Sequence, residues 1–294
     1  MYEEINRNKR NSILLIILFF VLIAVLGSII GFLYGSFAVG LIISLLLAGL
    51  FFAIQYYTGD KLILKLSGAR KATKEENAYL VNSVESLSLA AGIPKPEIYI
   101  IQDNALNAFA TGRDPKHAKI VVTTGLLKKM NRLELEGVLA HEMSHIKNYD
   151  IKFMLLVITL VGIVTLISDF FLRSVIYGGM GNRNSKSGGL FLAMLVIAII
   201  LRILAPIVAY MMHFAISRQR EYLADASGAL LTRYPEGLAS ALEKIKNDNS
   251  VVANPNEATA SMYISNPLKK KGFVSNLFST HPTLESRIEK LRKM

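Results

Sequence analysis

Residues 139–145 read Leu139-Ala140-His141-Glu142-Met143-Ser144-His145. Two histidines stand four apart, and a glutamate follows the first. On a helix, residues i and i+4 share a face, so both imidazoles can reach one metal ion. Glu142 lies one step round and can meet a water held by that ion. The H-E-x-x-H spacing therefore reads as a zinc site with its own general base. What the motif lacks is a third ligand, a substrate cleft and a setting.

Composition supplies the setting. The chain of 294 residues is 52% hydrophobic, with a mean hydropathy of +0.39. That is too apolar for an ordinary soluble protein and points to membrane spans. There is no cysteine, so thiolate ligands and disulfides are excluded, and any zinc must be held by His, Asp or Glu. The net charge is +11. Many of the Lys and Arg flank apolar runs, which suits membrane topology and anionic headgroups. No nucleic-acid motif accompanies them, so nucleic acid is not an expected partner.

Working outward from the motif, four hydrophobic runs emerge. Ile13–Leu33 and Phe37–Tyr57 are free of charge, long enough to span, and joined by a short turn, so they form a helical hairpin. Arg7, Lys9 and Arg10 precede it, and Lys61, Lys65, Arg70, Lys71 and Lys74 follow it. By the positive-inside rule both ends of the hairpin are cytoplasmic. Phe153–Leu172 is a third run, and Leu190–Met212 a fourth. The fourth is interrupted by Arg202 and Pro206, which leaves a helix that only dips into the membrane as the alternative. The expected division is thus a hairpin at 1–57, a first catalytic part at 58–152, a second hydrophobic hairpin at 153–212 and a second catalytic part at 213–294.

Within the polar parts, periodicity predicts an amphipathic helix over 73–91, ended by Gly92 and Pro94. Strands are predicted at 97–101, 107–111 and 119–123. The motif helix runs over 133–148, with apolar Leu135, Val138, Leu139 and Ile146. Further helices are predicted after Met212 to Leu231, over 235–247 and over 282–292. The polar stretch 248–276, with Lys269-Lys270-Lys271, reads as a lid or a linker.

Two histidines do not complete a catalytic zinc site, which takes three protein ligands and leaves a position for water. The continuation that places a third histidine just downstream is closed, because Asn148 and Ile151 stand at the glycine and histidine positions. The best candidate is Glu221, with Asp225 four residues on and so on the same helix face. Glu221 would ligate, and Asp225 would accept the free N–H of a ligating His. A salt bridge of Glu221 with Arg218 or Arg220 is the plainer alternative. Topology agrees with the ligand reading: the motif precedes run three and Glu221 follows run four by nine residues, roughly 14 Å along a helix. Two spans would return both halves of the site to one face of the membrane.

The matching stretches are Asn107-Ala108-Phe109-Ala110-Thr111-Gly112, His141-Glu142-x-x-His145, Glu221-x-x-x-Asp225 and Ser279-Thr280-His281-Pro282-x-x-x-x-Arg287-Ile288, with the amino-terminal hairpin. On these, the chain resembles the HtpX-type membrane zinc metalloproteases and, more distantly, the CAAX prenyl proteases. The resemblance implies a mainly helical, gluzincin-like protease domain with a small sheet, joined to four hydrophobic transmembrane helices. It implies that His141, His145 and Glu221 ligate one Zn2+ and that Glu142 is catalytic. It also implies a multi-pass protein of the cell membrane that cleaves misfolded membrane proteins or unfolded polypeptides, and the topology above puts its active site at the cytoplasmic face.

The remaining site residues have two readings each. His281 either enters the last helix ahead of Pro282 or, aided by Arg287, donates to the tetrahedral oxyanion. Asn107, Ala108, Phe109 and Ala110 form either a core strand or an edge that an extended substrate joins. Against an endopeptidase stand a narrow processing peptidase of the prenyl-protease kind and a non-catalytic zinc-bound membrane scaffold. Assembly as a homo-oligomer is left open.

Overall fold

The structure is a computed structural model that describes residues 2–33, 35–160, 162–163, 173, 199, 218–250, 252–253, 260–265 and 282–294. Two long helices come first, α1 (Tyr2–Leu33) and α2 (Phe37–Leu66). Both contain stretches long and apolar enough to cross a membrane, Ile5–Ile29 and Phe37–Leu66. Val39, Ile43, Leu46, Leu50 and Ile54 of α2 are all exposed. A broad face of large exposed apolar residues is what a lipid environment requires. Small residues let the two helices approach closely: a Cβ on Gly31 would stand 2.6 Å from the Cα of Gly40. α1 begins ahead of its predicted apolar run, at Tyr2, and α2 runs past its own, because Asp60, Lys61 and Lys65 are polar but do not break a helix.

The third and fourth predicted runs fall largely outside the described residues. Residues 150–160 and 162–163 are helical. The chain divides into two units. One comprises Arg10–Gly59 and Leu156–Met212, and it has an apolar cluster of Phe19, Ile23, Ala48, Leu160 and Ile163. The other comprises Met1–Lys9, Asp60–Leu155 and His213–Met294, and it carries the sheet and the motif helix.

In this second unit a four-stranded mixed sheet has the order β1-β2-β4-β3, from β1 (Arg70–Lys71), β2 (Glu97–Ile101), β3 (Ala108–Thr111) and β4 (Lys119–Thr123). β2 and β4 are parallel, with Ile98 opposite Ile120, and β3 is antiparallel to β4, with Ala110 opposite Ile120. Isoleucine and valine fill β2 and β4, as suits buried strands. Buried Asp60 at the end of α2 is paired with Lys119 of β4. α3 (Ala78–Ala91) starts five residues later than predicted and ends at Gly92, whose φ of +70° allows the left-handed cap. A short α4 (Thr124–Lys129) leads into α5 (Arg132–Lys147), the motif helix. α6 (Arg218–Thr232), α7 (Pro235–Asn247) and α8 (Leu284–Leu291) complete the described helices. Leu135, Val138, Leu139 and Ile146 of α5 are buried in one core with Leu238 and Leu242 of α7 and Ile288 of α8.

Candidate metal centre and active site

α5 is fixed at its start by a capping box. Asn131 Oδ1 accepts from the Glu134 amide at 3.0 Å, and the Glu134 carboxylate accepts from the Asn131 amide at 2.8 Å. This sets the register of the helix that presents His141 and His145. Their rings meet edge to face, 4.7 Å between centroids, with Nε2 to Nε2 at 3.1 Å. α6 crosses against α5 at Gly228, where an added Cβ would stand 3.0 Å from the His141 amide nitrogen. That close approach brings Glu221 to the histidines. Its Oε1 is 3.5 Å from His145 Nε2 and its Oε2 is 3.7 Å from His141 Nε2.

These three groups can hold a metal ion, with ligand atoms all within 4.8 Å of one another. A tetrahedral ion bonded at about 2.0–2.1 Å places its ligands about 3.3 Å apart. The Nε2–Nε2 edge of 3.1 Å fits that spacing, and Glu221 presents a different oxygen to each imidazole, Oε1 at 3.5 Å and Oε2 at 3.7 Å.

Each histidine is oriented by its own carboxylate. His141 Nδ1 is 3.0 Å from Asp225 Oδ1, and His145 Nδ1 is 3.0 Å from Asp150 Oδ2. A hydrogen bond at Nδ1 leaves Nε2 as the free nitrogen. Burial disfavours a charge on His145, but its hydrogen bond to Asp150 and the charges of Glu221, Asp150 and Glu142 outweigh that and push the imidazole up to about 9. His141 moves the other way: burial and the Arg287 charge hold it below the usual value. A metal at the two Nε2 atoms competes with that proton.

Arg287 of α8 is wholly buried, at 0% exposure. It donates to both oxygens of Asp225, and its Nη1 is 3.2 Å from Glu221 Oε2 and 3.3 Å from the Ile264 carbonyl. Burial alone would raise the Asp225 carboxyl, but the Arg287 charge and the hydrogen bonds from His141 and Arg287 hold it well below the usual range. His281 lies outside the described residues.

Glu142 is buried, and the backbone of Ala110 on β3 favours its ionised form. Burial, with help from the charge of Glu221, raises its carboxyl to about 7 against the opposing charges of His145 and Arg287. A carboxyl poised there suits proton transfer near neutral pH. β3 is the edge of the sheet, as a substrate-joining strand must be, yet its outer side is covered. Ile264 donates to the Ala108 carbonyl at 2.9 Å. The Asn107 side chain donates to the Ser265 carbonyl at 2.9 Å and accepts from its amide at 3.3 Å. Tyr263 packs edge-on against Phe109, 4.8 Å between centroids.

Residues 74–294 match the sequence profile of peptidase family M48. The chain belongs to peptidase family M48. It is 47% identical over 298 residues to the protease HtpX homolog of Dictyoglomus thermophilum, covering all of this chain and 94% of that one. It is 46% identical to the protease HtpX homolog of Tropheryma whipplei (strain Twist), covering 100% and 98%, and 42% identical to that of Streptococcus gordonii, covering 100% of each. The crystal structure of S. mikatae Ste24p has the same fold, with a TM-score of 0.54 at 20% identity over 91% of this chain and 61% of that one. This M48 chain is therefore a membrane metalloprotease, a hydrolase of peptide bonds. The fold carries it as a mostly helical protein with a small mixed sheet.

Asp150 escaped the sequence reading. It lies five residues beyond His145, outside helical reach, and gets there because Tyr149 takes a left-handed φ of +61°. A polar residue just past the helix cap was the available signal.

Proposed function

We propose that this M48 peptidase is a multi-pass, integral-membrane zinc endopeptidase that cleaves misfolded membrane proteins or unfolded polypeptides at the cytoplasmic face. One observation carries the reading: two imidazole nitrogens and the Glu221 carboxylate converge, with ligand atoms within 4.8 Å of one another, beside the buried carboxyl of Glu142. His141, His145 and Glu221 would hold the ion. When bound, zinc supplies Lewis acidity for the scissile carbonyl and for the attacking water. Glu142 takes a proton from that water as its oxygen bonds to the carbonyl carbon. It then gives the proton to the amine as the C–N bond breaks. Asp225 and Asp150 hold the two imidazoles in register, and Arg287 clamps Asp225 beneath them. The four-part division at 57, 152 and 212 describes the two hydrophobic hairpins and the two halves of the catalytic domain.

The substrate would lie extended along Asn107–Ala110, taking the bonds to β3 that residues 263–265 make. The effect of the Ala110 backbone on Glu142 puts the reacting carboxyl beside that strand. If His281 supplies an oxyanion donor, it does so without Arg287, whose nitrogens are engaged by Asp225, Glu221 and Ile264.

The test is cleavage of an unfolded protein in detergent by wild type, Glu142→Gln and chelator-treated enzyme, with zinc content measured alongside. Activity disappears in the last two while Glu142→Gln keeps its zinc; equal activity in all three rules the reading out. For sidedness, the cysteine-free chain accepts a single exposed Glu243→Cys. Labelling from outside the cell would place the site on the wrong face.

A further inference from the structure

We propose that Asn8, at the start of α1, is a positioning residue for the metal centre, acting through Asp150 on His145. This inference rests on His145 being a metal ligand. Asn8 is 1% exposed. Its Nδ2 carries two hydrogens and has two acceptors, Asp150 Oδ1 at 2.7 Å and the Asn148 carbonyl at 2.9 Å. The other Asp150 oxygen takes the Nδ1 of His145 at 3.0 Å. One carboxylate is thus pinned at both oxygens, by the imidazole on one side and by the amino-terminal segment on the other.

The need for such a pin follows from the turn. Continued as a helix, α5 would carry the fifth residue after His145 about 140° round the axis, away from the imidazole. Tyr149 reverses the chain instead, at a φ of +61° that a bulky side chain rarely takes. Asn8 and Lys9 hold this turn at consecutive positions. Asn8 caps the carbonyl of Asn148 and the carboxylate of Asp150, and the Lys9 ammonium sits 4.6 Å above the Tyr149 ring between them. Arg220 of α6, the helix of Glu221, adds a weaker contact to Asp150 at 3.8 Å. Residues 1–9 accordingly belong to the catalytic unit, although the apolar run of the same helix begins just after them.

Fixing the Asp150 rotamer fixes the tautomer and tilt of His145, which determines how well Nε2 meets a metal ion. The test is zinc affinity of the full-length protein in detergent, by competition with a chromophoric chelator. Asn8→Ala should raise the zinc Kd about tenfold, the low end of what loss of an outer partner costs a metal site. Asp150→Ala should raise it at least as far, and the double variant should be no weaker than Asp150→Ala alone, since Asn8 acts through that carboxylate. If Asn8→Ala does not fold, near-isosteric Asn8→Leu keeps the volume and removes both donors. An unchanged Kd in the Asn8 variants, or effects of Asn8 and Asp150 that multiply, overturns the proposal while the metal reading stands. Glu221→Ala separates the two: if it too leaves the zinc Kd unchanged, the metal reading fails and takes this inference with it.

Discussion

Arg287 grips Asp225 at two points, Nε on Oδ2 at 2.8 Å and Nη2 on Oδ1 at 2.6 Å, and that Oδ1 also lies 3.0 Å from His141 Nδ1. Helix α8 therefore reaches the proposed metal centre through one buried carboxylate. Removing one partner of such a pair strands the other charge in the interior, at about 3–5 kcal/mol. Arg287→Ala should lower the Tm sharply and weaken zinc binding. Arg287→Lys keeps the charge but loses the planar fork, and should fall between. Thermal unfolding and chelator competition on the three proteins check the order.

The same pair has a pH signature. Asp225 titrates well below its ordinary value of 3.8 in the folded chain. A depressed carboxyl stabilises above the unfolded value and loses that contribution as pH falls through the folded one. Asp225→Asn should thus be less stable than wild type at neutral pH, with the gap closing only below about pH 3.8. Unfolding by denaturant across a pH series measures this.

Glu142 has the opposite sign. Its carboxyl rises from 4.5 to about 7, chiefly through burial. The folded state holds its proton where the unfolded state has released it, so stability falls as pH rises through that window. At 1.36 kcal/mol per pH unit, the metal-free wild type gives up about 3 kcal/mol above neutral pH. Metal-free Glu142→Gln escapes this cost. It should be the more stable protein at alkaline pH and equal to wild type below pH 4.5, while lacking activity. Equal stability at both ends would show that the carboxyl is solvated.

How much of this was legible in the sequence depended on how far each contact reaches along the chain. Strands 97–101 and 119–123 and helix 235–247 were readable to the residue, because a short run of β-branched residues and a proline at the first turn are local signals. β1 was missed: two lysine- and arginine-bearing residues carry no pattern, and only pairing with Tyr99 and Ile100 makes them a strand. Glu221 and Asp225 showed as i, i+4 neighbours on one helix. Asp150 and Asn8 did not, since their link to His145 needs a left-handed tyrosine and a contact 142 residues apart in the chain. Arg287 was found, but as a partner for His281; which buried acids a lone arginine meets is decided by packing.

Gly228 is the residue that lets α6 deliver Glu221. An added Cβ would meet His141 N at 3.0 Å and Ala140 C at 3.2 Å, both backbone atoms of the motif helix. Gly228→Ala must push the helices apart by a few tenths of an ångström, an overpacking that costs about 1–3 kcal/mol. The displacement also draws Glu221 away from the imidazoles. Zinc affinity should fall together with Tm, whereas exposed Leu230→Ala, on the same helix, should leave affinity unchanged.

The covered edge of β3 bears on substrate binding. Ile264 holds the Ala108 carbonyl at 2.9 Å, and Tyr263 rests on Phe109 at 4.8 Å. A substrate that adds to this strand has to displace them. Tyr263→Ala removes the aromatic contact and leaves every β3 residue in place. Such a contact is worth roughly 1 kcal/mol, or about fivefold in an equilibrium. The KM for an unfolded protein substrate should therefore fall about fivefold, with kcat unchanged, because Glu142 and the proposed ligands are untouched. A rise in KM would mean instead that residues 263–265 form a wall against which the substrate rests, and that the peptide enters from another side of the metal centre.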